Sequence, residues 1–201
     1  ANDGSNDNNG LSRENPFKTI DAVRNLLNPG DAVLFKRGDV FRNVFIWSGA
    51  GNGNMMKGIT YGAYGEGEKP VLMQSKENYA KSAYWKATDV KNVYKLTKKL
   101  KNVGVVVFDN DIYAHDPNVK YGYIMNKDAF GFEGYKDLNS DLQFYSDYDE
   151  GDFYLYSAEG NPGSRFSDIE IGEGQNIFAG QAQDLVIDNI SFMYTGQHAV
   201  G

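Results

Sequence analysis

Few side chains in this sequence invite a chemical reading, and most of them are aromatic. Trp47, Trp85 and Tyr194 offer flat amphipathic faces of the kind that stack on sugar rings while a polar edge stays wet. Packing in a core or along its rim is the competing account of all three, as it is for the many other residues among 14 Tyr and 12 Phe. His198 is one of only two histidines. A group that titrates near neutrality can serve as an acid, a base or a hydrogen-bond donor, and a plain turn position explains it too. His115 stands among Asp111, Asp116 and Pro117. A two-histidine metal site would need distant parts of the chain to meet, so no metal is assigned.

The carboxylates are read the same way. Asp184 and Asp188 are four apart, and strand alternation lets them share a face. Paired carboxyls about 5 Å apart hydrolyse glycosidic bonds with retention, and roughly 6.5 to 9.5 Å apart with inversion; solvent-facing strand ends are the simpler account here. Asp147, Asp149, Glu150 and Asp152 make either a solvated hairpin loop or a cation site. Asp3, Asn6, Asp7 and Asn9 would suit a calcium loop, but their spacing matches no EF-hand. No cofactor is therefore assigned, with calcium left as the open alternative. Phosphate chemistry has no support: GAGNGN, Gly49 to Asn54, lacks the lysine, the spacing and the helix, and reads as a turn.

Composition bounds the rest. A chain of 201 residues, 41% hydrophobic and 23% charged, folds as one domain or two small ones. It has no apolar run of about 18 residues, which excludes a membrane-spanning helix. With no cysteine it has no disulfide, thiolate metal site or cysteine nucleophile. A net charge of -7 repels nucleic acid overall and leans against strongly polyanionic ligands unless calcium bridges the charges. The start at Ala1, without Met or a targeting segment, is what a mature secreted protein or a recombinant chain lacking its signal peptide would show.

These residues need elements to hold them, and 23 Gly and 20 Asn beside the aromatics predict a mainly β chain with many tight turns. One helix of about three turns is expected, capped by Asn15, opened by Pro16 and stopped at Asn28, Pro29 and Gly30. Its apolar stripe, Phe17, Ile20, Val23, Leu26 and Leu27, would plug the open end of a sheet or solenoid. Short strands follow at Ala32 to Phe35, Val44 to Trp47, Ile59 to Tyr64 and Val71 to Met73. Longer alternating runs, Gly104 to Phe108, Leu142 to Tyr145 and Phe153 to Tyr156, read as antiparallel hairpins. After Pro162 the short style returns at Ile169 to Ile171, Ile177 to Ala179, Leu185 to Ile187 and Ile190 to Tyr194. Asn176 and Asn189 stand at the junctions, where an amide can bond its own turn or the equivalent position one rung away. The strand pattern permits a parallel β-helix and also fits a sandwich.

Three stretches carry a resemblance: DGSNDNNGLSRENPFKTIDAVRNLLNPGDAVLFKRGDVFR from Asp3 to Arg42, ITYGAYGEGEKPVL from Ile59 to Leu72, and DLVIDNISFMYTGQHAVG from Asp184 to Gly201. Together they resemble the start of secreted bacterial right-handed parallel β-helix proteins of the pectate-lyase-like superfamily. The block containing NVYKL, Asn92 to Leu96, and YLYS, Tyr154 to Ser157, is similar to the antiparallel module that some members insert between early coils.

The resemblance implies a cap helix and first coils over 1–81, an inserted module over 82–161 and a continuing β-helix over 162–201 that stops short of the family's usual length. It implies the N-terminal portion of an extracellular polysaccharide lyase or glycoside hydrolase, with a polysaccharide or oligosaccharide as partner. The alternative is a non-catalytic carbohydrate-binding or adhesion module. The family's catalytic residues sit on central rungs, so none is assigned here. A terminal rung without a cap is further expected to pair with another chain or with downstream sequence.

Overall fold

The computed structural model describes residues 1–109 and 133–201, and in them the chain is mainly β with little helix. His115 lies outside the described residues. The strands are β1 (Ala32–Lys36), β2 (Val40–Phe41), β3 (Ile46–Trp47), β4 (Thr60–Tyr64), β5 (Val71–Met73), β6 (Trp85–Ala87) and β7 (Val93–Leu96). They continue with β8 (Val103–Phe108), β9 (Phe144–Ser146), β10 (Phe153–Tyr156), β11 (Ile169–Glu173), β12 (Phe178–Ala179), β13 (Val186–Ile187) and β14 (Ser191–Met193). No helix among the described residues is long and apolar enough to cross a membrane. The chain divides into two compact units, the first made of Ala1–Gln74, Asn176–Met193 and His198–Gly201, the second of Ser75–Gln175 and Tyr194–Gln197.

In the first unit three parallel ladders each take strands from successive passes of the chain. Their orders are β1-β4-β13, β2-β5-β14 and β3-β12, the last extended by a bridge from Phe178 to Val200. Alternation sets the faces: along β1, Phe35 turns inward while Leu34 stands out, and β4 buries Tyr61 beside it. Tyr61, Leu72, Ile46 and Phe178 are wholly buried in one core, where the Tyr61 and Phe178 rings meet edge to face at 5.0 Å. Each such side chain contributes about 1.5 to 3 kcal/mol by leaving water. The Asn176 amide oxygen accepts the His198 N–H at 3.0 Å and so ties β12 to the strand of the next pass. Asn43 and Asn189 turn the chain with positive φ.

The expected three-turn helix is not formed. A single turn of 3-10 helix spans Ile20–Val23, and Thr19 before it makes no side-chain cap. The amino-terminal arm takes the partners an α-helix would need. The Pro16 carbonyl accepts from Ser5 N–H and the Asn8 amide, at 3.2 and 2.9 Å, and the Phe17 carbonyl accepts from the Ala1 nitrogen at 2.7 Å. Those carbonyls are the i−4 acceptors of Ile20 and Asp21 in an α-helix. The Asn6 oxygen meanwhile accepts from Lys18 and Thr19 N–H. At the other end the Leu27 carbonyl is held by the Asn52 and Asn54 amides at 2.7 and 2.9 Å. Ile20 and Leu27 are still buried in the core and Val23 packs against it, while Leu26 is left exposed, so only part of the stripe packs without the helix.

The second unit is antiparallel. Its four-stranded sheet runs β6-β7-β10-β9, and β8 pairs with β11 through a register shift at Gly172/Glu173. The strand Ile169 to Ile171, expected among the short strands after Pro162, thus joins β8 and no parallel ladder. The core holds Trp85, Phe144, Phe153, Leu155, Ile169 and Ile171. Gly104 is required where it stands, because a Cβ there would collide with the Gly196 carbonyl.

Candidate functional site

Trp47 ends β3 on the outer side of the third ladder, and 48% of it stays exposed. Ile46 beside it is wholly buried, so the two-residue strand sends one side chain in and the other out. The indole is bedded on glycine. A Cβ on Gly49 would stand 2.8 Å from indole Cζ2, and one on Gly180 would stand 3.4 Å from Cδ1. In register with Trp47 on the next pass is Ala179, and Gly201 follows, donating to the Phe178 carbonyl at 3.0 Å. One large aromatic beside two small residues makes a shelf on which a planar ring can lie. Ser48 N–H is spent on the Ala179 carbonyl at 3.1 Å, which fixes the strand that carries the indole.

His198 is exposed at the entry to the last strand of the same ladder. Its N–H donates to Asn176 and its carbonyl accepts from Ile177 N–H at 3.3 Å. The strand of β12 separates it from the Trp47 strand, and by the register of Ile46, Phe178 and Val200 it stands three residues earlier along the ladder, so the two Cα atoms are roughly 14 Å apart at ordinary strand spacing. His198 thus stands away from the indole shelf, and the ladder does not bring the two together.

The other two candidates stand in the second unit. Trp85 is 4% exposed, with its indole N–H donating to the Tyr79 carbonyl at 2.9 Å and its ring edge-on to Phe153. This corrects its reading as a sugar platform: it is a core residue whose polar edge is satisfied inside the unit. Tyr194 is half-buried, has φ of 53°, and lays its carbonyl where a Cβ on Gly172 would be. It lies against β11, apart from the sheet that carries Trp85.

The oxygen-rich segments are spoken for by the chain. Asp3 pairs with Lys36 at 2.6 Å, and that hydrogen bond holds its carboxyl below the usual range. The Asn9 oxygen accepts from Leu11 N–H. Among the described residues no three metal-binding side chains converge. Asp147 caps its own turn by accepting from Asp149 and Glu150 N–H. Asp152 lies between Lys95 and Lys99, each 2.7 Å away; burial pushes its carboxyl up, and the two hydrogen bonds outweigh it and hold the group low. Asp184 and Asp188 are both exposed with Val186 between them, and four extended residues put their Cα atoms roughly 13 Å apart.

Sequence reading missed the Asp152 pair of lysines, the fork of Arg165 on Asp141 and an apolar cleft bordered by Leu11, Leu26 and Leu34. The i and i+4 spacing of Lys95 and Lys99 was the one local signal; the other two arise from residues far apart in the chain.

Compared with known proteins, the chain matches no protein-family model, and no curated protein matches it. Among solved structures it is similar to XylC in its complex with xylose, with a TM-score of 0.56 and 16% identity, over 98% of this chain and 35% of that one. It also matches the GH136 lacto-N-biosidase of Eubacterium ramulus, with 32% identity and a TM-score of 0.28 over 44% of this chain and 14% of that one. The first likeness is one of fold. The chain spans about a third of the length of XylC.

Proposed function

We propose that this chain is the N-terminal portion of an extracellular bacterial carbohydrate-active protein, a glycoside hydrolase or polysaccharide lyase, built on a right-handed parallel β-helix. The fold likeness to XylC over 98% of the chain carries this reading, since that protein is seen with a sugar bound. Three ladders filled in the same order by successive passes are what the first coils of such a helix require. The antiparallel strands between β5 and β12 are then the inserted module, and the open edges of β13 and β14 accept the next coil, from downstream sequence or another chain.

Within this reading the sugar lies on the Trp47 shelf. A neutral glycan suits the net charge of -7. Calcium is unnecessary for a neutral ligand. The half-exposed indole favours a second reading as well, a binding or adhesion module without turnover, because stacking alone retains a sugar.

The test is a glycan array and polysaccharide depletion on the 201-residue chain, with and without calcium, while reducing ends and unsaturated products are followed. Binding of a neutral glycan, lost in Trp47→Ala, is the expected result. Product formation would mean that the catalytic groups are already present in this stretch. Absence of any glycan retention overturns both readings.

A further inference from the structure

Leu11, Leu26 and Leu34 are 88%, 57% and 51% exposed, and all three border one cleft of about 500 Å³ in the first unit. That volume falls within the range of small-molecule sites, roughly 300 to 1,000 Å³. Phe17 lines it with them, and its borders are the amino-terminal arm, the 3-10 turn and β1. Exposed leucines gathered in one concavity are a different matter from leucines scattered singly over a surface.

The cleft also has a charged corner. The Arg13 guanidinium lies over the Tyr64 ring, 5.8 Å from its centroid, and among the described residues no carboxylate forms an ion pair with it. Asp31 lines the same cleft but accepts the Asn28 N–H at 2.8 Å, and Glu14 is held low by its own backbone and by Ser12 more than by Arg13. The Tyr64 hydroxyl is enclosed and has no hydrogen-bond partner among the described residues. Burial raises the Tyr64 phenol above its ordinary range, with Asp3 and Asp39 adding to the rise and Lys36, itself paired with Asp3, and Arg13 opposing it, so it remains a protonated donor.

We propose that this cleft binds a free amphipathic anion, its hydrocarbon or aromatic body against the three leucines and Phe17, its carboxylate between the Arg13 guanidinium and the Tyr64 hydroxyl. The apolar walls exclude a bare polar anion, and the forked cation selects a carboxylate over a neutral head. A membrane surface is the wrong occupant, because the apolar groups line a concavity and a chain of net charge -7 is repelled by anionic lipid. As the anion enters, Arg13 exchanges its ring contact for the carboxylate and the Tyr64 hydroxyl gains the acceptor it lacks.

Isothermal titration of the intact chain with dodecanoate, kept below its micelle concentration, and with dodecanol separates the two parts of the claim. Dodecanoate is expected to bind saturably at one site and more tightly than dodecanol. Arg13→Gln should weaken dodecanoate about tenfold and leave dodecanol unchanged, whereas Leu34→Gln should weaken both. Circular dichroism checks that each variant stays folded. No saturable binding, an undiminished dodecanoate affinity in Arg13→Gln, or binding confined to anionic phospholipid vesicles would overturn the proposal.

Discussion

Arg165 grips Asp141 with both terminal nitrogens, each 2.7 Å from a different carboxylate oxygen. The guanidinium is 15% exposed and also lies over the Phe166 ring at 4.7 Å. The fork joins the turn before β9 to the one-turn helix Pro162–Arg165. Asp141 further accepts the Ala158 N–H at 2.8 Å.

Arg165→Lys keeps the charge and loses the fork, so urea unfolding of the second unit should show a loss of about 1.5 to 3 kcal/mol, the worth of a charged hydrogen bond. An unchanged midpoint would mean that the pair is only superficial. Asp141→Asn should lose a similar amount, because it leaves the guanidinium with only the exposed Glu159 carboxylate, 3.5 Å away, as counter-charge.

Acid should loosen the same unit. Asp141 and Asp152 are each pushed up by burial, and the hydrogen bonds from Arg165, Lys95 and Lys99 outweigh it, so both have a folded pKa below the unfolded value of 3.8. Their stabilisation is fully present above that value and is lost as the pH falls through the lower folded value. Thermal midpoints measured downward from pH 5 should therefore stay level until about pH 4 and then drop, and Asp152→Asn should flatten part of the fall. A drop centred near pH 6 would point to another group.

The amino-terminal arm is a structural part of the first unit. Asn6 accepts from Lys18 and Thr19 N–H at 3.1 and 3.0 Å and donates to the Thr19 hydroxyl. Asn6→Ala should cost about 1 kcal/mol, as the loss of a cap does. Amide exchange at Lys18 and Thr19 should quicken with it. Unchanged exchange would show that other donors or water replace the side chain.

The same arm explains what sequence could and could not convey. Short apolar runs between Gly and Asn turns marked β5 and β10 to the residue, and β1 and β4 nearly so, because alternation is local. The helix failed because the acceptors at Pro16 and Phe17 go to residues 1 to 8, a competition that periodicity does not record. Strand partners were equally hidden: Ile169 looks like any short strand until Phe108 lies opposite it. The two tryptophans differ for the same reason. Trp85 finds the Tyr79 carbonyl for its indole N–H and goes inside, while Trp47 meets Gly49 and Gly180 and stays on the surface.

That difference is measurable by light. In Trp85→Phe the remaining Trp47 should emit near the wavelength of a solvated indole and be quenched freely by acrylamide, whereas in Trp47→Phe the buried Trp85 should emit to the blue and resist quenching. Gly49→Ala carries the argument to the shelf itself. Its Cβ would stand 2.8 Å from Cζ2, so the indole must tilt while the ladder bonds of Ile46 and Ser48 remain. If the shelf holds a sugar ring, glycan retention should fall in Gly49→Ala nearly as far as in Trp47→Ala, by several-fold to about tenfold for one aromatic contact. Retention lost in Trp47→Ala and kept in Gly49→Ala would mean that the indole contributes area without needing its flat bed.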